Sequence, residues 1–238
     1  VLRINQRSSL IIEPGATLVI HPGAQIELLG DSAILEIRGR VIMQPNAVFS
    51  FTGAGFVRVN QTAWNSQVGW QFMGNNSIYL AGNGRNDKVL EVQGEWVVPT
   101  TQVPFRMTQG QIWLHPQARL NLHGLVNLQH VMFTGDQNNR HRGLVVHGQD
   151  SVLIKNAEFW NGERGITSFS LTYGNPLVLD GVGFFNKHFG LETHGESVNL
   201  VSCRGSNNHT FWRGYDIEGY SRVNSCWVTQ NTHGLDVM

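Results

Sequence analysis

The sequence lacks several features that would place it in common functional classes. Its 17 basic and 17 acidic side chains give a formal net charge of zero, so no electrostatic attraction to nucleic acid or to an anionic membrane surface is expected. No run of 18 apolar residues occurs, so no membrane-spanning helix is predicted. No secretory leader is expected within this sequence either, because residue 1 already begins a strand-like run.

Cysteine is also scarce. The two cysteines, Cys203 and Cys226, form no Cys-x-x-Cys motif, and the ten histidines lack ligand spacing, so these residue types predict no metal site. The separation of the two cysteines equals one period of the repeat described next. Either stacked buried thiols or a disulfide would fit that spacing.

What the sequence does contain is a recurring thirteen-residue pattern, found at Leu18–Gly30, Val41–Gly53 and Ile112–Gly124. The starts of the first two copies define a period of about 23 residues, and the third copy begins close to three further periods later. Both arms of the pattern alternate with period two, which predicts strands with one buried face. The Pro-x-Ala between the arms predicts a corner, because proline fixes φ and offers no amide to a ladder. Such a unit must stack on its neighbours, so we predict an all-β solenoid.

The second half of the chain keeps nearly the same period in a different form. A glycine followed by an apolar residue recurs about once per period, at Gly143, Gly165, Gly190, Gly214 and Gly234. An asparagine precedes several of these glycines, at Asn161, Asn186, Asn208 and Asn231. Asparagine tolerates the left-handed conformation, so these positions are predicted to be turns.

The run from Pro14 to Ala24 and the later Phe-x-Asn-x-x-x-Gly units resemble right-handed parallel β-helix proteins of the pectate-lyase-like superfamily. The resemblance implies one right-handed parallel β-helix domain over 1–238, of roughly ten coils with about 23 residues each. We expect regular N-terminal coils over 1–59, coils with loop excursions over 60–110, and C-terminal coils over 111–238. A chain that starts and stops in mid-coil is also expected to be a piece of a longer one. The superfamily hosts lyases, glycosidases and non-catalytic adhesins, so the fold does not choose among them.

The residues that face outward in the later coils give the first candidate site. Aligned on the recurring glycines, they read Val145, Thr167, Glu192, Asp216 and Asp236, beside a column that contains Arg142, Arg164, Arg213 and His233. One interpretation is a solvated network of exposed ion pairs. Another is a lyase in which Glu192, Asp216 and Asp236 hold calcium and Arg213 or Arg164 acts as the base.

A glycosidase is the other catalytic interpretation. Asn231-Thr232-His233-Gly234 is similar to the Asn-Thr-Asp-Gly element of polygalacturonase-type glycosidases, but His233 replaces the catalytic aspartate of that family. No adjacent Asp-Asp pair follows. This departure argues against hydrolysis by that family's mechanism, in which two carboxylates act together.

Aromatic residues give a second candidate site, for carbohydrate. Flat rings along a solenoid can stack on sugars, and the candidates are Trp160, Trp212, Tyr215, Tyr220 and His209. The alternative for Trp212 is that it packs beneath the 203–214 segment.

Two functional hypotheses follow. The first is a non-catalytic β-helix segment of a secreted or cell-surface stalk, fibre or adhesin that contacts glycans along its outer face. The second is a polysaccharide-active enzyme, a calcium-assisted lyase or a glycosidase, acting on acidic glycans. The implied partners are a polysaccharide or cell-surface glycan, or further copies of the chain associating through coil ends or as a fibre. Calcium is the one cofactor considered, and the expected location is extracellular or at the cell surface.

Overall fold

Successive strands of this chain lie on one another in parallel layers. The computed structural model describes residues 1–30, 32–53, 55–61, 70–73, 76–98, 104–137, 140–147, 151–169, 176–195, 197–215 and 221–237. Within these ranges the chain forms strands and no helix. In chain order they are β1 (Leu2–Asn5), β2 (Ser9–Ile12), β3 (Thr17–Ile20), β4 (Ile26–Leu29), β5 (Ile34–Ile37), β6 (Arg40–Met43), β7 (Val48–Gly53), β8 (Phe56–Gln61), β9 (Trp70–Phe72), β10 (Ser77–Ala81), β11 (Lys88–Val98), β12 (Phe105–Leu114), β13 (Arg119–His123), β14 (Val126–Gly135), β15 (Gly143–His147), β16 (Val152–Lys155), β17 (Glu158–Phe169), β18 (Leu177–Asp180), β19 (Gly183–His194), β20 (Val198–Val201), β21 (Arg204–Ser206), β22 (Thr210–Tyr215), β23 (Arg222–Asn224), β24 (Trp227–Thr229) and β25 (His233–Val237).

Parallel pairing arranges these strands in three series that run along the solenoid axis. The first series is β1, β4, β7, β10, β12, β14, β16, β18, β20 and β23. The second is β2, β5, β8, β11, then the later parts of β12 and β14, the early parts of β17 and β19, and β21 and β24. The third begins with a separate three-stranded sheet, β3, β6 and β9. It continues, without strand pairing between β9 and β11 but with the ring of Trp70 in β9 5.1 Å from that of Trp96 in β11, through the later part of β11, β13, β15, the later parts of β17 and β19, β22 and β25.

This architecture confirms the parallel β-solenoid predicted from the sequence. One turn takes about 24 residues, slightly more than the sequence period suggested, so the coil count also differs slightly from the sequence estimate. No helix in the part of the chain described above is long and apolar enough to cross a membrane.

The core consists of side chains that repeat at the same register position in each layer. In the third series Trp96, Leu120, Leu144, Ile166 and Leu191 follow one another in register, and all five are fully buried. In the second series Phe133 stacks on Phe159 at 4.4 Å. The alternation visible in the sequence therefore corresponds to one buried and one outward face on each strand.

The predicted Pro-x-Ala corners are confirmed as turns. The alanine amides of Ala24, Ala47 and Ala118 donate to the carbonyl oxygens three residues earlier at 2.9–3.0 Å. The residue between proline and alanine has a positive φ in each copy, 76° at Gly23, 62° at Asn46 and 62° at Gln117. Proline at the second position and a left-handed residue at the third define a type II turn.

Two of the recurring glycines have a steric cause. A Cβ added at Gly165 would lie 2.4 Å from the Gly190 carbonyl oxygen, and one at Gly143 would lie 2.5 Å from the Gly165 oxygen. At these two positions the backbones of adjacent layers approach too closely for a side chain. Gly234 differs, because a Cβ added there would meet no described atom within 4 Å.

The left-handed conformation predicted for the asparagines is found at Asn161 and Asn186, which have φ of 49° and 56°. Each lies within a continuous strand, β17 or β19, and not in a turn between strands. Asn186 Nδ2 donates to Asn161 Oδ1 at 3.3 Å. In the next layer the left-handed residue is Asn207. Asn208 instead uses its side chain, which donates from Nδ2 to the Phe184 carbonyl oxygen at 2.9 Å.

Both cysteines are free thiols in this structure. Cys203 is buried and its thiol donates to the Leu179 carbonyl oxygen at 3.4 Å. Burial raises the pKa of the Cys203 thiol to about 12. Of the two alternatives, the coordinates correspond to the stacked thiols.

Candidate functional site

A groove follows the outward face of the third strand series across β13, β15 and β17. It encloses about 490 Å³. Its lining residues are Arg119, Asn121, Arg142, Val145, His147, Glu163, Arg164, Thr167 and Phe169. Three arginines and one carboxylate line it, so guanidinium groups are the commonest charged groups along its walls.

The floor of the groove consists of Asn121, Val145 and Thr167, which are aligned in register in three successive layers. Asn121 donates from Nδ2 to Glu95 Oε1 at 3.2 Å. Its Oδ1 and the Thr167 hydroxyl are buried and have no hydrogen-bond partner among the described residues. Buried polar atoms without a partner are costly, so a ligand that reached these two atoms would supply a hydrogen bond that each lacks.

One edge of the groove is basic. Arg119 pairs with Glu95 at 2.8 Å, and Arg164 donates from Nη1 to Glu192 Oε1 at 3.0 Å. Arg142 differs, because its Nε donates to the neutral Gln117 Oε1 at 3.0 Å and it forms no ion pair with a carboxylate in the described part of the chain. Among the three groove arginines, Arg142 is the one with no described carboxylate within ion-pair distance, although its charge contributes to lowering the pKa of Glu95.

The opposite edge is a ladder of stacked rings, which we call the aromatic ladder. Ring centroids are 4.2 Å apart from His123 to His147, 5.1 Å to Phe169, 4.6 Å to His194 and 4.6 Å to Tyr215. Burial lowers the pKa of His123 and that of His147, which favours their neutral imidazoles. Because neighbouring rings cover each other's faces, the ladder presents ring edges and imidazole nitrogens to the groove.

The predicted column of three carboxylates is corrected by the strand register. Glu192 is aligned with Arg213, and Arg213 with Asp236, so an arginine stands at the position assigned to Asp216. Arg213 donates from Nε to Asp236 Oδ2 at 2.8 Å. Asp216 itself lies outside the described residues. The acid–base–acid order relieves the repulsion that three stacked carboxylates would suffer.

Glu192 is buried at the end of the groove and is held by two partners. Arg164 Nη1 lies 3.0 Å from its Oε1, and His194 Nε2 lies 3.1 Å from the same oxygen. Within the described ranges no group of three or more His, Cys, Asp or Glu side chains could hold a metal ion.

The candidate carbohydrate residues are spread over different parts of the surface and core. Trp212 is 4% exposed and its indole N–H donates to Thr193 Oγ1 at 2.9 Å, so the prediction that it stacks on sugar is wrong. Tyr215 ends the aromatic ladder. Trp160 stacks on Phe185 at 4.2 Å, on the second strand series.

The remaining candidates lie away from the groove. His209 stacks on His188 at 4.7 Å, and its ring is 5.2 Å from His233 in an edge-on arrangement. Tyr220 lies outside the described residues.

Sequence reasoning placed Val145 and Thr167 on the outward face but did not single out the other distinctive groove residues, Arg119, Asn121, His147 and Phe169. A signal for the ladder was present, since rings recur about once per solenoid period at His123, His147, Phe169, His194 and Tyr215. Each of these rings stands at the end of a strand in the third series.

No protein family, curated protein or solved structure matches this chain. The coordinates therefore establish the fold, and the proposed function rests on the geometry and charge of the groove.

Proposed function

We propose that this chain is a non-catalytic β-solenoid segment of a secreted or cell-surface stalk, fibre or adhesin, related to the pectate-lyase-like superfamily, whose groove binds a glycan bearing acidic groups. The supporting observation is the arrangement of an arginine edge and an aromatic edge across a floor with two unpartnered polar atoms. Each of these three parts meets a different feature of an acidic sugar.

The shape of the groove favours an extended ligand. Its floor repeats once per layer, at about 4.8 Å along the axis, which is comparable to the length of one sugar residue in an extended chain. In this proposal Asn121 Oδ1 accepts a hydrogen bond from a sugar hydroxyl, and Val145 contacts C–H groups of the ligand. The Thr167 hydroxyl donates or accepts a further hydrogen bond. A floor of this kind can form hydrogen bonds with ligand hydroxyls on either side of the apolar Val145.

The charge of the groove favours a carboxylate or sulfate on that ligand. Arg142 can form a bidentate, charge-assisted pair with such a group without giving up a carboxylate partner of its own. Hydrogen bonds to charged groups contribute about 1.5–3 kcal/mol each.

The catalytic alternative rests on Glu192. Its carboxylate contacts both Arg164 and His194, and Arg164 lines the groove, so a base and an acid group lie at one end of the ligand path. In that alternative the chain is a lyase or glycosidase on acidic glycans, and calcium would have to be held by an arrangement that includes residues outside the described ranges, such as Asp216.

The test is affinity electrophoresis and calorimetry with polygalacturonate, alginate and chondroitin sulfate, and with dextran as the neutral reference. We expect binding to at least one acidic polymer and a loss of about tenfold in Arg142→Gln, equivalent to about 1.4 kcal/mol. Arg222→Gln is the matched control, because Arg222 is exposed on β23, outside the groove. Equal affinity of the Arg142→Gln variant and the parent would contradict the proposal.

The same mixtures separate binding from catalysis. An ultraviolet absorbance increase from unsaturated uronides, or reducing ends released over time, that disappears in Glu192→Gln would replace the non-catalytic proposal with the enzymatic one. Binding without turnover would support the proposal as stated.

A further inference from the structure

In four successive layers, an outward column on the second strand series carries a large ring in every layer but one. Trp113 is aligned with Thr134, and the register of the adjoining core phenylalanines extends this column to Trp160. Trp160 is in turn aligned with Phe185. A small hydroxyl residue therefore lies between two partly exposed indoles.

Each indole is covered on the side that faces away from Thr134. Lys88, from the preceding layer, places its Nζ 5.5 Å from the Trp113 ring centroid. Phe185, from the following layer, stacks on Trp160 with ring centroids 4.2 Å apart and 22° between the planes. Over the described part of the chain neither indole has another ring or cation partner, so no ring or cation covers the sides that face each other across Thr134.

The distance between the Trp113 and Trp160 indoles leaves room for one ring between them. Two layers separate the indoles, which amounts to roughly 10 Å along the axis. A ring in van der Waals contact with both faces needs about 3.5–4 Å on each side. Elsewhere in this molecule one ring per layer fits at this spacing, as from His147 to Phe169 at 5.1 Å.

The space beside Thr134 is a real depression with polar walls. A cavity of about 620 Å³ lies against Trp113 and Thr134 and reaches Asn161, the residue that follows Trp160. His115, Asp136 and Gln137 also line it. Side-chain amides and a carboxylate beside an aromatic face are the groups that bind the hydroxyls of a sugar while its C–H face stacks. A carboxylate in the wall disfavours an anionic ring.

We propose that Trp113, Thr134 and Trp160 form a second binding slot, which holds one neutral pyranose ring between the two indoles. The slot is separate from the groove. It lies on a different strand series, and it offers ring faces without a stacked partner where the aromatic ladder offers edges. It does not depend on the function proposed for the groove, and its ligand differs in charge.

The test measures the binding of xylo-, cello- and manno-oligosaccharides, at millimolar concentration, to the whole chain. Tryptophan fluorescence and calorimetry report the binding. The informative variant is Thr134→Phe, which fills the vacant layer with a ring and completes the aromatic column. We expect it to fold with an unfolding midpoint no lower than the parent's and to bind at least tenfold more weakly. Trp113→Ala is expected to show a similar loss.

Two controls separate this slot from the groove and from general surface stacking. Trp227→Ala removes an indole that is 73% exposed in the last layer, and Arg142→Gln alters the groove; both are expected to bind neutral oligosaccharides as the parent does. The proposal is overturned if none of the three series binds, or if Thr134→Phe binds as tightly as the parent. Loss of binding in Arg142→Gln would assign the neutral sugars to the groove.

Discussion

Glu91 makes the stability of this solenoid depend on pH in a defined way. Its side chain is 4% exposed and lies among four partners: Arg58 Nε at 3.0 Å, Lys88 Nζ at 3.0 Å, His115 Nε2 at 2.7 Å and Gln93 Nε2 at 3.3 Å. Burial alone would raise the pKa of Glu91. Hydrogen bonds from Arg58, His115 and Lys88 outweigh it and lower the pKa from 4.5 to about 2.

The magnitude follows from linkage between protonation and folding. A difference of about 2.5 pKa units between unfolded and folded chains corresponds to about 3 kcal/mol of stability, since one unit is worth about 1.4 kcal/mol. Because the folded pKa is the lower one, this contribution is fully present above pH 4.5. It declines as the pH falls and is lost near pH 2.

The perturbation is Glu91→Gln, which keeps the shape of the side chain and removes its charge. We expect the variant to be less stable than the parent by about 3 kcal/mol at pH 7, and the difference to shrink towards zero at pH 2. Urea unfolding, followed by tryptophan fluorescence at a series of pH values, measures this difference directly.

The control is Glu27→Gln, which removes the carboxylate of a 2.8 Å pair with Arg3, a residue whose side chain is 65% exposed. An exposed pair contributes at most about 1 kcal/mol, so this variant should stay close to the parent at every pH. A Glu91→Gln deficit that is the same at pH 7 and pH 2 would refute the reasoning.

Three further outcomes test the packing. Gly165→Ala puts a Cβ 2.4 Å from a backbone oxygen of the next layer and should lower the unfolding midpoint by several degrees, whereas Gly234→Ala, with no described atom within 4 Å, should leave it nearly unchanged. Phe133→Ala should reduce the free energy of unfolding by about 3–5 kcal/mol, measured with urea; a loss below about 1 kcal/mol would contradict its place in the ring stack. In Cys226→Ser the remaining thiol, Cys203, should resist alkylation until the protein is unfolded, and rapid labelling of the native protein would contradict its burial.

The parts of the fold that could be predicted are those with a local cause. The Pro-x-Ala corners follow from the fixed φ of proline and a left-handed residue such as Gly23. The strands follow from period-two alternation, and stacking follows from the repeat itself. These signals need no knowledge of which residues meet across layers.

The register of the site could not be predicted from the same signals. Gly190 comes directly before the core residue Leu191, whereas Gly214 comes two residues after the core residue Trp212, which is aligned with Leu191. Aligning the chain on its glycines therefore placed Asp216 where Arg213 lies. The alignment follows the buried core position, Leu191 with Trp212, and a glycine motif does not report that position.

The exposure of aromatic residues is a second property that could not be predicted from the sequence. Trp212 and Trp160 look alike in the sequence, yet one is buried in the core and the other stacks on Phe185 outside it. The vacant layer at Thr134 becomes visible only when three strands are aligned, because a threonine in a strand is unremarkable by itself.

The in-register stacking of layers also fixes the spacing of equivalent surface positions along the solenoid axis. Every outward position is repeated at a fixed step along the axis, so two surface groups at the same register position are separated by a whole number of layers. Insertion or removal of one complete turn would lengthen or shorten the groove by a single step and leave its cross-section unchanged. A loop insertion within a turn would leave this axial spacing unchanged, because the strands that define it keep their pairing.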